Sequence, residues 1–288
     1  MAATIGGLVA LLFWGISDWL ASKNSKTHHG IEVNLAIHLT AGSILLAIFL
    51  FSRTPWPNLE QFLTLLLAAA FFTAGYIMFI KALAIGQAGI VVPLLNTFPL
   101  FAFIASYVFL GITFSNSTLL AMAAVVVGAV MVGTDRLKNR GIREHLRQEV
   151  LLSVGGAVAI GINLFILNTV VEDMTWEAIA GIEAGATALF IVILSLIKNK
   201  SATIKAFKKL KYNKVGIISG LMIVFGTIGF YAGGEAAGNL IIPAVLASAS
   251  VLVTSILAAV FDNEKIILLK RIGAVFVVAG VILLNINL

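Results

Sequence analysis

The chain has 288 residues, of which 60% are hydrophobic and only 11% charged, and its mean hydropathy is +1.07. So much apolar surface exceeds what a soluble core buries and places the chain in a bilayer, while the absence of cysteine excludes disulfides and thiolate metal sites. The formal net charge of +6 needs no nucleic-acid partner, because basic loops facing anionic lipid account for it.

A bilayer core about 30 Å thick takes roughly 20 residues of helix. Ten apolar stretches approach that length, near residues 4–22, 31–51, 61–86, 89–110, 116–134, 150–171, 175–197, 214–235, 239–261 and 266–286. The first has neither a basic leader nor a small-residue cleavage site, so it is expected to be a retained span. Ser52 to Pro57 ends the second span, Ser115-Asn116-Ser117 opens the fifth, and Glu172-Asp173 separates the sixth from the seventh. Residues 135–149 carry charge without a hydrophobic face and read as a basic, solvated linker between a first unit, 1–134, and a second, 150–288.

Those two units are copies. Lys81 to Pro93 returns, blurred, as Tyr231 to Pro243, with the prolines aligned without a gap. Five spans per copy is an odd number, so the second copy must enter the membrane from the opposite face, an arrangement common in secondary carriers. Seventeen of the nineteen Lys and Arg fall at one set of helix ends, Arg53 alone falls at the other, and Lys81 lies within a span. The positive-inside rule places the crowded ends in the cytoplasm and both termini outside, as expected of a multi-pass protein of the cell membrane, inner or plasma.

The motif Ala82-Leu83, Gly86, Val91 and Pro93, with Phe13-Trp14-Gly15 in the first span, resembles the EamA-type repeat of the drug/metabolite transporter (DMT) superfamily. The second copy keeps Pro243, Thr254, Glu264, Gly273 and Gly280 of that repeat. The resemblance covers nearly the whole chain and implies an all-α integral membrane fold of ten transmembrane helices in two inverted five-helix EamA repeats, with transport as the activity. Family members often have Gly-Glu after the fourth span. Here the run is Leu110-Gly111-Ile112-Thr113, and Glu264 supplies the acid in the second copy alone. Termini outside resembles the bacterial glucose and rhamnose uptake branch, a hint toward a sugar-like solute.

Polar residues within spans are expensive and therefore candidates for function. Glu183 lies about eight residues into the seventh span, roughly 12 Å deep, with Thr187 one turn on. An acid at that depth suits proton exchange or substrate binding; its alternative is a structural hydrogen bond to another helix. Asp18, one turn from Trp14, reads as a coupling-ion ligand or gate, or as an edge acid hydrated or paired with Lys81. His38, with Asn34 a turn earlier, reads as a coupling group or a packing histidine. Asn96, Thr97 and Ser248 follow Pro93 and Pro243 at similar depth, where a proline frees a carbonyl. They should face a shared cavity, with Asn163, Tyr76, Tyr231 and Trp14 completing a substrate-binding lining; the hinge role of Pro93 and Pro243 is what the family resemblance implies. The pairs Gly181/Gly185, Gly216/Gly220 and Gly229/Gly233 read as helix-packing sites. Trp56 and Trp176 read as interfacial anchors.

Neither a phosphate loop, nor His-Glu-x-x-His, nor paired Asp-rich motifs occur, and His28-His29 has the wrong spacing for a helical metal site. No enzyme activity, cofactor or metal is expected. The sequence points to a secondary carrier of a small polar metabolite, sugar-like or amino-acid-like, working by alternating access with H⁺ as a candidate coupling ion. Its partners are the solute and the bilayer, and the oligomeric state is open. A lipid-linked substrate translocase or a channel of the same fold is the alternative.

Overall fold

The computed structural model describes residues 1–86, 88–111, 113, 115–133, 143–262 and 268–286. Among the described residues the regular structure is helical: α1 (Ala2–Thr27), α2 (Gly30–Phe51), α3 (Leu59–Ile85), α4 (Ala88–Leu95), α5 (Phe98–Leu110), α6 (Asn116–Gly133), α7 (Arg143–Asn168), α8 (Trp176–Lys209), α9 (Lys214–Glu235), α10 (Ile241–Ser248), α11 (Ser250–Phe261) and α12 (Leu268–Ile286). Among the described residues eight spans are long and apolar enough to cross a membrane, α4 with α5 and α10 with α11 each forming one, and shorter apolar segments run from Asn116 to Gly128 and from Arg271 to Gly280.

Local chemistry sets the helix ends. Asn58 and Gln61 close a reciprocal capping box on α3, with bonds of 2.8 and 3.0 Å. Asn213 caps α9 by accepting from the Gly216 amide. Gly111 ends α5 in the left-handed region at φ 65°, which a side chain would make costly.

Four sequence expectations change. The fourth span is broken at Asn96–Thr97, three residues past Pro93, because Pro99 opens α5 and cannot donate back into the preceding turn. The ninth span breaks at Ala249, six residues past Pro243, where the Ser248 hydroxyl bonds the Val245 carbonyl at 2.6 Å. The basic stretch after the seventh span continues α8 past a bend at Asn199, whose side chain accepts from the Ala202 amide and restarts the helix. Ala206 on this extension packs with Ile31, Leu35 and Ile191. Residues 143–149 of the expected linker begin α7; positions 135–142, and Glu264, lie outside the described residues.

The helices pair in a pattern that maps onto itself when the two copies are exchanged. α1 packs on α9 as α7 packs on α3; α1 also packs on α10 and α11 as α7 packs on α4 and α5; α2 meets α8 and α6 meets α12. Small residues permit these contacts. Gly6 lies against Gly229 and Gly233, and at the exchanged contact Gly75 lies against Gly156 and Ile160. Gly181 seats Phe49, and Gly220 meets the Ile37 carbonyl and Thr40.

At the end of the bundle where most Lys and Arg collect, α1 is fastened twice. Lys26 Nζ donates to the Gly86 carbonyl at 2.6 Å, a cation closing the C-terminus of α3. Lys23 pairs with Asp262 at 2.5 Å, and Trp19 Nε1 donates to the same carboxylate at 2.9 Å, joining α1 to the end of α11. At the other end Glu235 accepts from the Trp176 amide at 3.0 Å, and Asn168 accepts from the Leu240 amide at 2.8 Å. Trp176 is half-buried and Trp56 exposed there.

Candidate functional site

A cavity of about 110 Å³ lies at the centre of the bundle. Its walls come from α1, α2, α3, α4, the α4–α5 break and α5, and from α7, α8, α9 and α11; among the described residues α6 and α12 contribute none of its lining. The broken helix places Asn96 there because the chain turns at that residue, and its Nδ2 bonds the Val92 carbonyl at 2.9 Å.

Two polar clusters face the cavity. In the first, Asn163 Nδ2 of α7 donates to Glu183 Oε1 at 2.6 Å and to the Ala68 carbonyl of α3 at 3.0 Å. The Tyr231 hydroxyl of α9 donates to Glu183 Oε2. One carboxyl group therefore ties α7, α8 and α9 together, and its amide partner reaches across to the first copy. In the second cluster the Ser250 hydroxyl donates to Asn96 Oδ1 at 3.3 Å, and Asp18 lines the same cavity. The Tyr76 ring meets His38 edge-on with centroids 4.3 Å apart, and its hydroxyl is buried with no hydrogen-bond partner among the described residues. His38 Nε2 and Thr187 Oγ1 are buried and have no hydrogen-bond partner among the described residues.

Of the residues expected to contact solute or ion, Asp18, Trp14, His38, Tyr76, Asn96, Asn163, Glu183 and Tyr231 all line this cavity. Thr97 and Ser248 do not: both turn their hydroxyls onto carbonyls of their own helices, Leu94 at 2.7 Å and Val245 at 2.6 Å. Neither Pro93 nor Pro243 lines it. Asp18 is not paired with Lys81, which is exposed in a separate groove. Sequence reasoning missed Ser17, Thr227, Ser250, Phe72, Phe98 and Phe230. Ser250 could have been found as the next hydroxyl after Ser248 in the stretch matching the fourth span. Among the described residues no cluster of three or more His, Asp or Glu could hold a metal.

An apolar helical bundle of this kind, built from two similar halves around a central cavity that carries two polar clusters, defines the class of polytopic membrane proteins to which small-solute carriers belong. The EamA-like transporter family matches over residues 1–134 and 147–286, and the chain belongs to that family. No curated protein matches the sequence. Among solved structures, one described only as the crystal structure of a protein is similar over 99% of this chain and 96% of its own, with a TM-score of 0.73 and 16% identity. That likeness extends to the fold alone.

Proposed function

We propose that the protein is a secondary active transporter of a small polar metabolite, sugar-like or amino-acid-like, that works by alternating access and is proton-coupled through Glu183. The observation that carries this reading is the placement of Glu183 in the central cavity, tied to Asn163 and Tyr231, with no Lys or Arg among the described residues that line it. An acid so held exchanges its proton with the cavity, and its partners are the groups a bound solute would compete for.

The exchange symmetry of the helix contacts supports two five-span repeats of opposite insertion, and the crowding of Lys and Arg at one set of helix ends supports those ends in the cytoplasm and both termini outside. At about 110 Å³ the cavity is smaller than the roughly 300–1,000 Å³ of a typical ligand pocket. The repeats therefore part to admit solute, and the Lys23–Asp262–Trp19 contact between α1 and α11 is the bond that opens at the basic end. His38, Thr187, Asn96 and Asp18 supply further polar contacts, with Trp14 and Tyr76 as aromatic walls.

The test is a thermal-shift screen of the purified protein against sugars, amino acids, nucleosides and organic cations, repeated with Glu183→Gln. Binding to the folded state raises the melting temperature by mass action. A sugar or amino acid that stabilises the wild type, with a pH dependence that Glu183→Gln removes, supports the reading. Silence across the panel, together with no saturable uptake in proteoliposomes, would overturn it in favour of a channel or a lipid-linked substrate translocase.

A further inference from the structure

A second cavity, of about 510 Å³, opens at the basic end between α2, α3, α7 and α8. Its lining falls into two tiers. At the mouth stand His28, His29, Lys81 and Lys198; deeper are Ile77, Ile80, Leu152, Ile191 and Leu194. On both long helices the order is the same. Ile77 lies one turn inward of Lys81 on α3, and Leu194 lies one turn inward of Lys198 on α8, so each cation has an apolar side chain directly beneath it on the same face. Ile85 and Leu194 are exposed along the flank, at 48% and 46%, which leaves the groove open sideways toward acyl chains.

No Asp or Glu lines the groove among the described residues. Glu149, at the start of α7, is turned instead to Gly86 and lies close enough to Lys26 for their charges to interact. The polar atoms of the groove are specific. His29 Nδ1 accepts from the Ile31 amide at 3.3 Å, which leaves its neutral-ring proton on Nε2 as a free donor. Asn34 is more than nine-tenths buried, and its Nδ2 donates to the Gly30 carbonyl at 2.8 Å. That bond fixes the amide's orientation, since the side-chain oxygen could not donate there. Asn34 Oδ1 is then a buried acceptor with no partner among the described residues.

We propose that this groove is a binding site for one anionic phospholipid whose headgroup carries a hydroxyl. The phosphate sits between Lys81 and Lys198 and accepts a hydrogen bond from His29 Nε2–H, a headgroup hydroxyl donates to Asn34 Oδ1, and the upper acyl segment lies on Ile77, Leu152 and Leu194. Cations above and apolar residues one turn below reproduce the order of charge and chain in a phospholipid, whereas a free phosphate would leave the apolar tier uncovered. One turn along α2 from Asn34, His38 lines the central cavity, so a lipid seated here braces the helix that carries it.

The test is native mass spectrometry of delipidated full-length protein incubated with dioleoylphosphatidylglycerol, dioleoylphosphatidylcholine or glycerol phosphate. The wild type should retain a single phosphatidylglycerol adduct, bind phosphatidylcholine weakly, and neither bind glycerol phosphate nor lose lipid to it. Lys81→Gln with Lys198→Gln should lower phosphatidylglycerol retention about tenfold or more, and Ala84→Trp, which fills the groove without touching a charge, should do the same. Lys208→Gln with Lys209→Gln, outside the groove, should change nothing. Equal retention of both lipids, displacement by glycerol phosphate, or retention unchanged in the groove variants would overturn the assignment. None of these readouts depends on transport.

Discussion

Replacing Glu183 with glutamine isolates the proton from the scaffold. The carboxyl group accepts from Asn163 and from Tyr231. A glutamine in the same rotamer keeps its oxygen for Asn163 Nδ2, which can only donate, and turns its NH₂ to the Tyr231 oxygen, which can accept. Both contacts survive with one direction reversed, and Asn163 keeps its bond to Ala68. Interhelical hydrogen bonds in membranes average about 0.6 kcal/mol and rarely exceed about 1.7, so Glu183→Gln should cost less than about 1 kcal/mol. Glu183→Ala strands the Tyr231 hydroxyl and opens a void, and should cost about 2–4 kcal/mol. Function should divide differently. With the solute found by screening, Glu183→Gln should still catalyse exchange of labelled for unlabelled solute across proteoliposomes, because exchange moves no net proton. It should lose accumulation driven by a pH gradient. Accumulation equal to wild type would refute the role of Glu183, and a collapse in stability as large as that of Glu183→Ala would refute the structural reasoning.

Thr187→Val removes a buried hydroxyl that has no partner among the described residues; melting should stay level or rise, while solute affinity falls about five- to tenfold. Gly128→Ala would set a methyl 2.6 Å from the Gly273 carbonyl and 2.7 Å from the Val277 amide. Because α6 and α12 stand outside the cavity, it should destabilise by about 1–3 kcal/mol and leave solute affinity of the folded protein unchanged. At Asp262, slight burial pushes the carboxyl up, but the hydrogen bonds from Lys23 and Trp19 and the Lys23 charge outweigh it and hold the group below its ordinary 3.8. A lowered value means stability present above 3.8 and lost as pH falls through the folded value. Asp262→Asn should therefore melt slightly lower than wild type near neutral pH, by under about 1 kcal/mol for so exposed a pair, and the gap should close in acid. The same substitution should raise thiol labelling of a cysteine placed at Ser250 from the basic end.

Much of the fold could be read from the chain. Hydrophobic runs bounded by Ser52 to Pro57, Ser115 to Ser117 and Glu172-Asp173 located the apolar spans, because apolar length and punctuation are local properties, but not the charged turns that start α7 at Arg143 and carry α8 to Lys209. The breaks were less legible. Pro93 stood out through its repeat partner Pro243, yet the chain turns where Pro99 starts a new helix and where Ser248 bonds its own backbone. The assumption that hydroxyls just past a proline face inward failed for Thr97 and Ser248 for the same reason. Single polar residues in apolar spans were visible as isolated costs, which picked out Glu183, Asn163 and Tyr231 one at a time. Their union was not visible, since Glu183 meets partners 20 and 48 positions away. Lys81 gave no sign of the groove it shares with Lys198, because that juxtaposition depends on the packing of α3 against α8.

The most direct test of the carrier reading is counterflow in proteoliposomes. Vesicles loaded with unlabelled solute and diluted into trace labelled solute should show a transient accumulation of label above equilibrium, because a binding site that faces one side at a time exchanges its cargo. Label that enters without an overshoot, at a rate linear in concentration, would contradict alternating access and identify an open pore.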